Sequence, residues 1–216
     1  MPPTMDAIPP GLLAALTLFA FVSSITPGPN NTMLLASGAN FGVRRTVPHM
    51  MGVWIGFSVL IVSCGLGLGA LFAAYPPLHA ALKVFGGAYL LWLAWKVATA
   101  GGLGGGAAGA RPMTFLEAAA FQWINPKAWT MGLGAVATYV PQGRFAAGLA
   151  AVALVFAVVN LPCIAFWAAL GTAARRLLDR PRALKAFNWT MAVLLVVSLY
   201  PLAEETWRWA SGLRPS

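Results

Sequence analysis

Apolar positions in this chain follow neither the helical nor the strand period; they simply run on. Residues 7–43, 46–82, 145–174 and 186–203 contain no Asp, Glu, Lys or Arg. About 20 consecutive apolar residues cross a bilayer as a helix, so each run predicts a spanning segment or comes close to one. Six helices are expected, over about 11–39, 49–74, 80–99, 114–139, 145–173 and 187–208. The third has a short uncharged centre, and Lys83 and Lys96 at its ends can reach the headgroups. The glycine-rich stretch 101–109 reads as a linker. It lacks the Lys-Ser/Thr and the flanking strand that a phosphate loop requires. The expected organisation is therefore a three-helix unit (1–100), a linker (101–113) and a second three-helix unit (114–216).

Composition changes the solvent rather than the elements. The chain of 216 residues is 59% hydrophobic and only 9% charged, against about 25% charged in soluble domains. Lipid is the solvent that fits, and the expected fold class is an all-α integral membrane protein. The net charge of +9 suggests nucleic acid only at first sight. The basic residues lie in short connections, without the stripe or motif spacing of a nucleic-acid-binding protein.

Charge placement also predicts orientation. Connections after the first, third and fifth helices carry Arg44, Arg45, Lys96, Arg111, Arg175, Arg176, Arg180, Arg182 and Lys185. The other side carries Lys83, Arg144, Arg208 and Arg214. The bias puts the first set in the cytoplasm and both termini outside it. Residues 1–10 carry no Lys or Arg and the apolar run continues beyond signal length, so the first helix is expected to be a retained span.

Two spans are interrupted. The first break reads Thr26-Pro27-Gly28-Pro29-Asn30-Asn31, and the second Gln122-Trp123-Ile124-Asn125-Pro126-Lys127. Two Pro flanking a Gly cannot continue a regular helix, and Asn followed by Pro starts one. Pro27 and Pro126 are 99 positions apart, each in the first helix of its unit. With three spans per unit the second must enter from the opposite side, which predicts an inverted repeat.

The chemistry expected at the breaks is that of an anion site. Two helix N-termini with free N–H groups, together with the mid-span cation Lys127, suit a small carboxylate. Backbone carbonyls and the amides of Asn30, Asn31 and Asn125 can meet an ammonium or hydroxyl on the same molecule, and Gln122 is expected to belong to the same site. A Lys in a span costs about 2.5–3.5 kcal/mol on insertion scales, so it faces a cavity or a partner; backbone carbonyls are the structural alternative. Glu117 is ten positions away, so it does not meet Lys127 on one helix. The only acids that could approach a membrane path, Glu117, Glu204 and Glu205, lie near helix ends, which disfavours a cationic substrate and leaves proton coupling unexplained. No cofactor or metal spacing is present, no catalytic arrangement suggests an enzyme, and a purely structural protein is the bland reading. His49 and His79 read as satisfied interfacial residues. Gly52, Gly56, Gly65, Gly67 and Gly69 read as close-packing positions. Asn160 and Pro162 read equally as widening a cavity or only kinking the helix. Trp92, Trp95, Trp207 and Trp209 read as interfacial anchors. Cys64 and Cys163, also 99 positions apart, read as buried hydrophobes, the alternative being a membrane thiol–disulfide electron carrier.

Four motifs in order resemble the LysE/RhtB family of amino-acid exporters. They are Pro27-Gly28-Pro29-Asn30; the run from Gly38 through Arg45 to Gly52 and Gly56; Lys83 to Trp92; and Phe121 to Lys127. The fifth and sixth helices match mainly by hydropathy. The resemblance implies a bacterial inner-membrane exporter of an amino acid or derivative, driven by the proton gradient, with Pro27, Gly28, Pro29, Asn30, Asn125, Pro126 and Lys127 as central residues. Family members are thought to export lysine, arginine, threonine, homoserine and its lactone, leucine or cysteine-related metabolites. The scarcity of acids tilts the expectation toward a neutral zwitterion. The expected partners are that solute and the lipid bilayer, not nucleic acid; a homo-oligomer is allowed.

Overall fold

The computed structural model describes residues 9–99, 111–175, 178, 180–200 and 204. The described residues are helical with short connections and no strand. Helix α1 (Pro10–Ile25) and α2 (Pro29–Phe41) share the first expected span and meet at 52°. Helix α3 (Val43–Ser63) passes through a π-turn (Cys64–Leu68) into α4 (Gly69–Ala74), and α5 (Pro76–Ala98) follows. Helix α6 (Phe115–Phe121) and a 3₁₀ turn (Gln122–Ile124) lead to α7 (Pro126–Tyr139). Helices α8 (Phe145–Ala174) and α9 (Pro181–Val197) complete the order. The linker 101–109, the residues Trp207 and Trp209, and the side chains of His79 and Lys83 lie outside the described residues.

Among the described residues two helices, Val43–Leu71 and Phe145–Ala174, are long and apolar enough to cross a membrane, and the bent pair α1–α2 makes a third when taken as one span. Asn125-Pro126 divides the fourth expected span into two short helices, and within α5 the apolar part is Val84–Ala98. Helix α3 begins before the expected residue 49 despite Pro48 inside it. Pro48 takes away the donor that the Arg44 carbonyl would receive. Both residues are exposed at the basic end of the molecule, where water or headgroups can replace it. Helix α9 likewise starts early, with Pro181 at its first position.

Packing mixes the two halves of the chain. Phe156 on α8 stands edge-on to Phe57 on α3, with centroids 5.5 Å apart, inside a cluster that includes Leu16 and Trp129. A second cluster joins Met33, Leu90, Phe121 and Leu195, from α2, α5, α6 and α9. Helices α1 and α2 lie on α8, α6 lies on α3, and α5 lies on α9. Small residues set these distances. A Cβ on Gly38 would strike the Ala168 carbonyl, and one on Gly171 the Leu35 carbonyl, so α2 and α8 touch backbone to backbone. Gly52 and Gly56 bring α3 against Phe115 and Ala119 of α6 in the same way. Gly67 differs: nothing lies within 4 Å of its Cβ position, and its φ of +99° in the π-turn is the reason for glycine there. Outward faces of α1, α5, α8 and α9 expose Leu18, Phe21, Phe85, Leu154, Val158 and Val197, apolar surface of the kind that marks a membrane or protein contact.

Candidate functional site at the two helix breaks

Ending α1 at Ile25 frees a full set of backbone carbonyls, and in apolar surroundings each needs a donor. The structure supplies one for every carbonyl from Val22 to Pro27. Val22 O accepts from the Thr26 amide at 3.2 Å, and Ser23 O from Thr26 Oγ1 at 3.1 Å. Ser24 O accepts from Asn31 Nδ2 at 2.8 Å, and Ile25 O from the Trp167 indole at 3.1 Å. Thr26 O accepts from Asn31 Nδ2 and from Lys127 Nζ, at 2.8 and 2.7 Å. Lys127 Nζ also donates to Thr26 Oγ1 at 2.9 Å and Pro27 O at 3.3 Å, which uses all three ammonium hydrogens. The cation thus sits at the negative end of α1, where a helix favours positive charge.

Gly28 makes this possible. It is extended, and a Cβ there would meet Lys127 Cδ at 2.7 Å and Nζ at 3.1 Å. Pro29 then opens α2, whose first turn leaves N–H groups without intrahelical acceptors.

The second break is built on Asn125. Its Oδ1 accepts the Lys127 amide at 3.1 Å, and Pro126 occupies the first helical position. The Trp129 indole donates to Trp123 O at 2.8 Å, covering a freed carbonyl. Asn30 and Gln122 then join the breaks through both halves of their amides: Asn30 Nδ2 donates to Gln122 Oε1 at 2.8 Å, and Gln122 Nε2 to Asn30 Oδ1 at 3.1 Å.

Asn30, Asn31, Asn125 and Lys127 line one cavity with Ser24 and Asn160; its volume is about 20 Å³, room for about one water. No carboxylate lines it among the described residues. Asn160 donates to Ser24 Oγ at 3.2 Å, which places it on the cavity wall. Pro27 contributes its carbonyl from the exposed side of the break.

Sequence reasoning missed several partners. Trp167 and Ser24 carry no local signal of their role. Glu117 was legible as part of Thr114-x-x-Glu117, and it completes a capping box with Thr114 and receives Arg111 at 2.6 and 2.7 Å. The Glu117 hydrogen bond, with its charge, holds the exposed Arg111 guanidinium above its ordinary pKa. His49 corrects the expectation of a satisfied interfacial residue. It is 1% exposed, because α3 begins early enough to carry it inside the bundle, and neither ring nitrogen has a partner among the described residues. Cys64 and Cys163 are free and buried.

Amides and a cation thus meet in one cavity between the broken helices. Comparison with known proteins gives the family. A family model described as LysE type translocator matches residues 21–200. The cysteine/O-acetylserine efflux protein of Escherichia coli strain K12 is 31% identical over 189 residues, covering 87% of this chain and 95% of that protein. The protein of that name from Shigella sonnei strain Ss046 is also 31% identical, with the same coverage. No solved structure matches. With its apolar helices, its paired breaks and a family match over most of its length, this chain belongs to the LysE family of membrane translocators.

Proposed function

We propose that this protein exports a small neutral amino acid or amino-acid derivative across the bacterial inner membrane, with solutes like cysteine or O-acetylserine as the first candidates. The observation that carries the reading is the grip of Lys127, on the second break, upon the Thr26 and Pro27 carbonyls of the first. A carboxylate entering the site competes for the same ammonium. Its arrival frees the α1 carbonyls, and the solute's own ammonium can take up Thr26 O in place of Lys127. Binding and loosening of the α1–α7 contact are then one event, which is the requirement for alternating access around a fixed site. The cavity of about 20 Å³ is too small for an amino acid, so a solute is accommodated only as the Lys127 contact loosens.

Six spans in two inverted repeats, 1–100 and 114–216 about the linker 101–113, fit the packing. Exchanging the units turns the α1–α8 contact into α6–α3, and both contacts exist; α3–α8 and α5–α9 map onto themselves. The absence of a carboxylate from the cavity lining favours a zwitterion over a cationic amino acid. The proton gradient is the proposed driving force, and the basic connections put both termini in the periplasm. Pro27, Gly28, Pro29, Asn30, Asn31, Gln122, Asn125, Pro126 and Lys127 form the proposed transport site. Excretion from cells loaded with amino acids as dipeptides tests this: expression should raise extracellular cysteine or O-acetylserine severalfold, and no change in any neutral amino acid would refute it.

A further inference from the structure

A second, larger cavity of about 340 Å³ lies further along α2, lined in part by Ser37, Asn40, His49, Tyr89 and Glu117. It falls within the roughly 300–1,000 Å³ typical of small-molecule sites. It runs from buried Asn40 and His49 out to exposed Lys96, Thr99 and Arg111, so it opens at the basic end of the bundle. Its inner wall holds three buried polar atoms without partners among the described residues: Asn40 Oδ1, His49 Nδ1 and His49 Nε2. Asn40 is 5% exposed and its amide is held in one sense, since Nδ2 donates to Ala36 O at 2.8 Å and Asn188 Oδ1 at 3.1 Å. Its oxygen is therefore presented as an acceptor. A neutral imidazole adds one donor and one acceptor. Buried polar groups are normally partnered, and these line an open cavity.

We infer that this cavity is a loading site for a small zwitterionic solute, separate from the site at the breaks, in which Asn40 Oδ1 receives the ammonium and His49 N–H meets the carboxylate. The inference rests on the transport reading. Lys96, whose ammonium lies 4.4 Å from the Trp92 ring centroid, stands at the mouth, where positive charge attracts the carboxylate end, while Arg111 beside it is paired with Glu117. The register of two helices separates the sites. On α2, Asn30 lines the inner cavity and Met33, Ser37 and Asn40 the outer one. In the second half Glu117 lines the outer cavity, Asn125 and Lys127 the inner, and the Asn30–Gln122 amide pair stands between.

The test is uptake of radiolabelled O-acetylserine or cysteine into inside-out membrane vesicles, which present the cytoplasmic face to the medium. His49→Leu keeps bulk and removes only unpartnered nitrogens, so it should fold; Val97→Trp, at a half-buried position of the cavity wall, narrows the cavity and leaves both polar groups in place. Both variants should raise the half-saturating concentration roughly tenfold, the worth of one or two hydrogen bonds, with maximal velocity little changed. A half-saturating concentration equal to wild type in both variants overturns the loading site while leaving the transport reading intact. Wild-type vesicles that accumulate neither these solutes nor any other neutral amino acid overturn the transport reading, and the loading site with it.

Discussion

Asn30 and Gln122, 92 positions apart, exchange two hydrogen bonds through their side-chain amides, at 2.8 and 3.1 Å. Gln122 is fully buried and its Nε2 also donates to Ala118 O. The pair is a direct tie between the first turn of α2 and the end of α6. Removing one partner leaves a buried amide unpaired, at a cost of about 1–3 kcal/mol. Removing both should cost less than the sum. A double-mutant cycle with Asn30→Leu and Gln122→Leu, read by thermal unfolding in detergent, should give a coupling of about 0.5–3 kcal/mol. Strict additivity would mean that the amides do not act together.

Gly28 is extended, a conformation open to any residue, so its role is the space it leaves for Lys127. Gly28→Ala should fold, push the lysine stem aside and lengthen its bonds to Thr26 and Pro27. Losing a charged hydrogen bond costs about 1.5–3 kcal/mol. Export should fall at least severalfold at unchanged membrane abundance. Wild-type export by this variant would show that the lysine's position is unimportant.

The helix breaks and the helices were legible in the sequence because Pro acts locally: it removes a donor and biases the residue before it. Asn125 as a cap was legible for the same reason. The closing of the carbonyls was not. Trp167 reaches Ile25 from another helix, and nothing near either residue announces the pairing. Lys127 was expected to await an anion, with backbone carbonyls as the structural alternative, and the carbonyls hold it. His49 was misplaced because its depth depends on where α3 starts, and Pro48 argued for a later start. The flanking glycines read alike, yet Gly52 and Gly56 are packing positions and Gly67 is a backbone one.

Backbone contact between α2 and α8 makes a sharper forecast. Gly38→Ala and Gly171→Ala drive a methyl into a carbonyl of the facing helix, and overpacking of this kind costs about 1–3 kcal/mol. Both variants should lower the unfolding temperature and the amount of protein in the membrane. Gly134→Ala, whose Cβ would only touch Phe19 at 3.9 Å, should change neither. Equal stability in all three would contradict the packing described.

Cys64 and Cys163 are buried thiols, Cys64 within the cluster around Phe156. Replacing both with Ala should preserve export, with a modest loss of stability from the smaller side chains. Abolished export by a stable double variant would revive the thiol–disulfide reading.

Under the proposed function one charge, Lys127, holds the carbonyls of the first break and turns from them to the solute's carboxylate. The most direct measurement is export of cysteine and O-acetylserine by Lys127→Ala and Lys127→Gln at matched membrane abundance. Glutamine can still donate to Thr26 O but carries no charge. Both variants should insert normally and excrete no more than cells without the protein. Export at the wild-type rate by either variant would contradict the account.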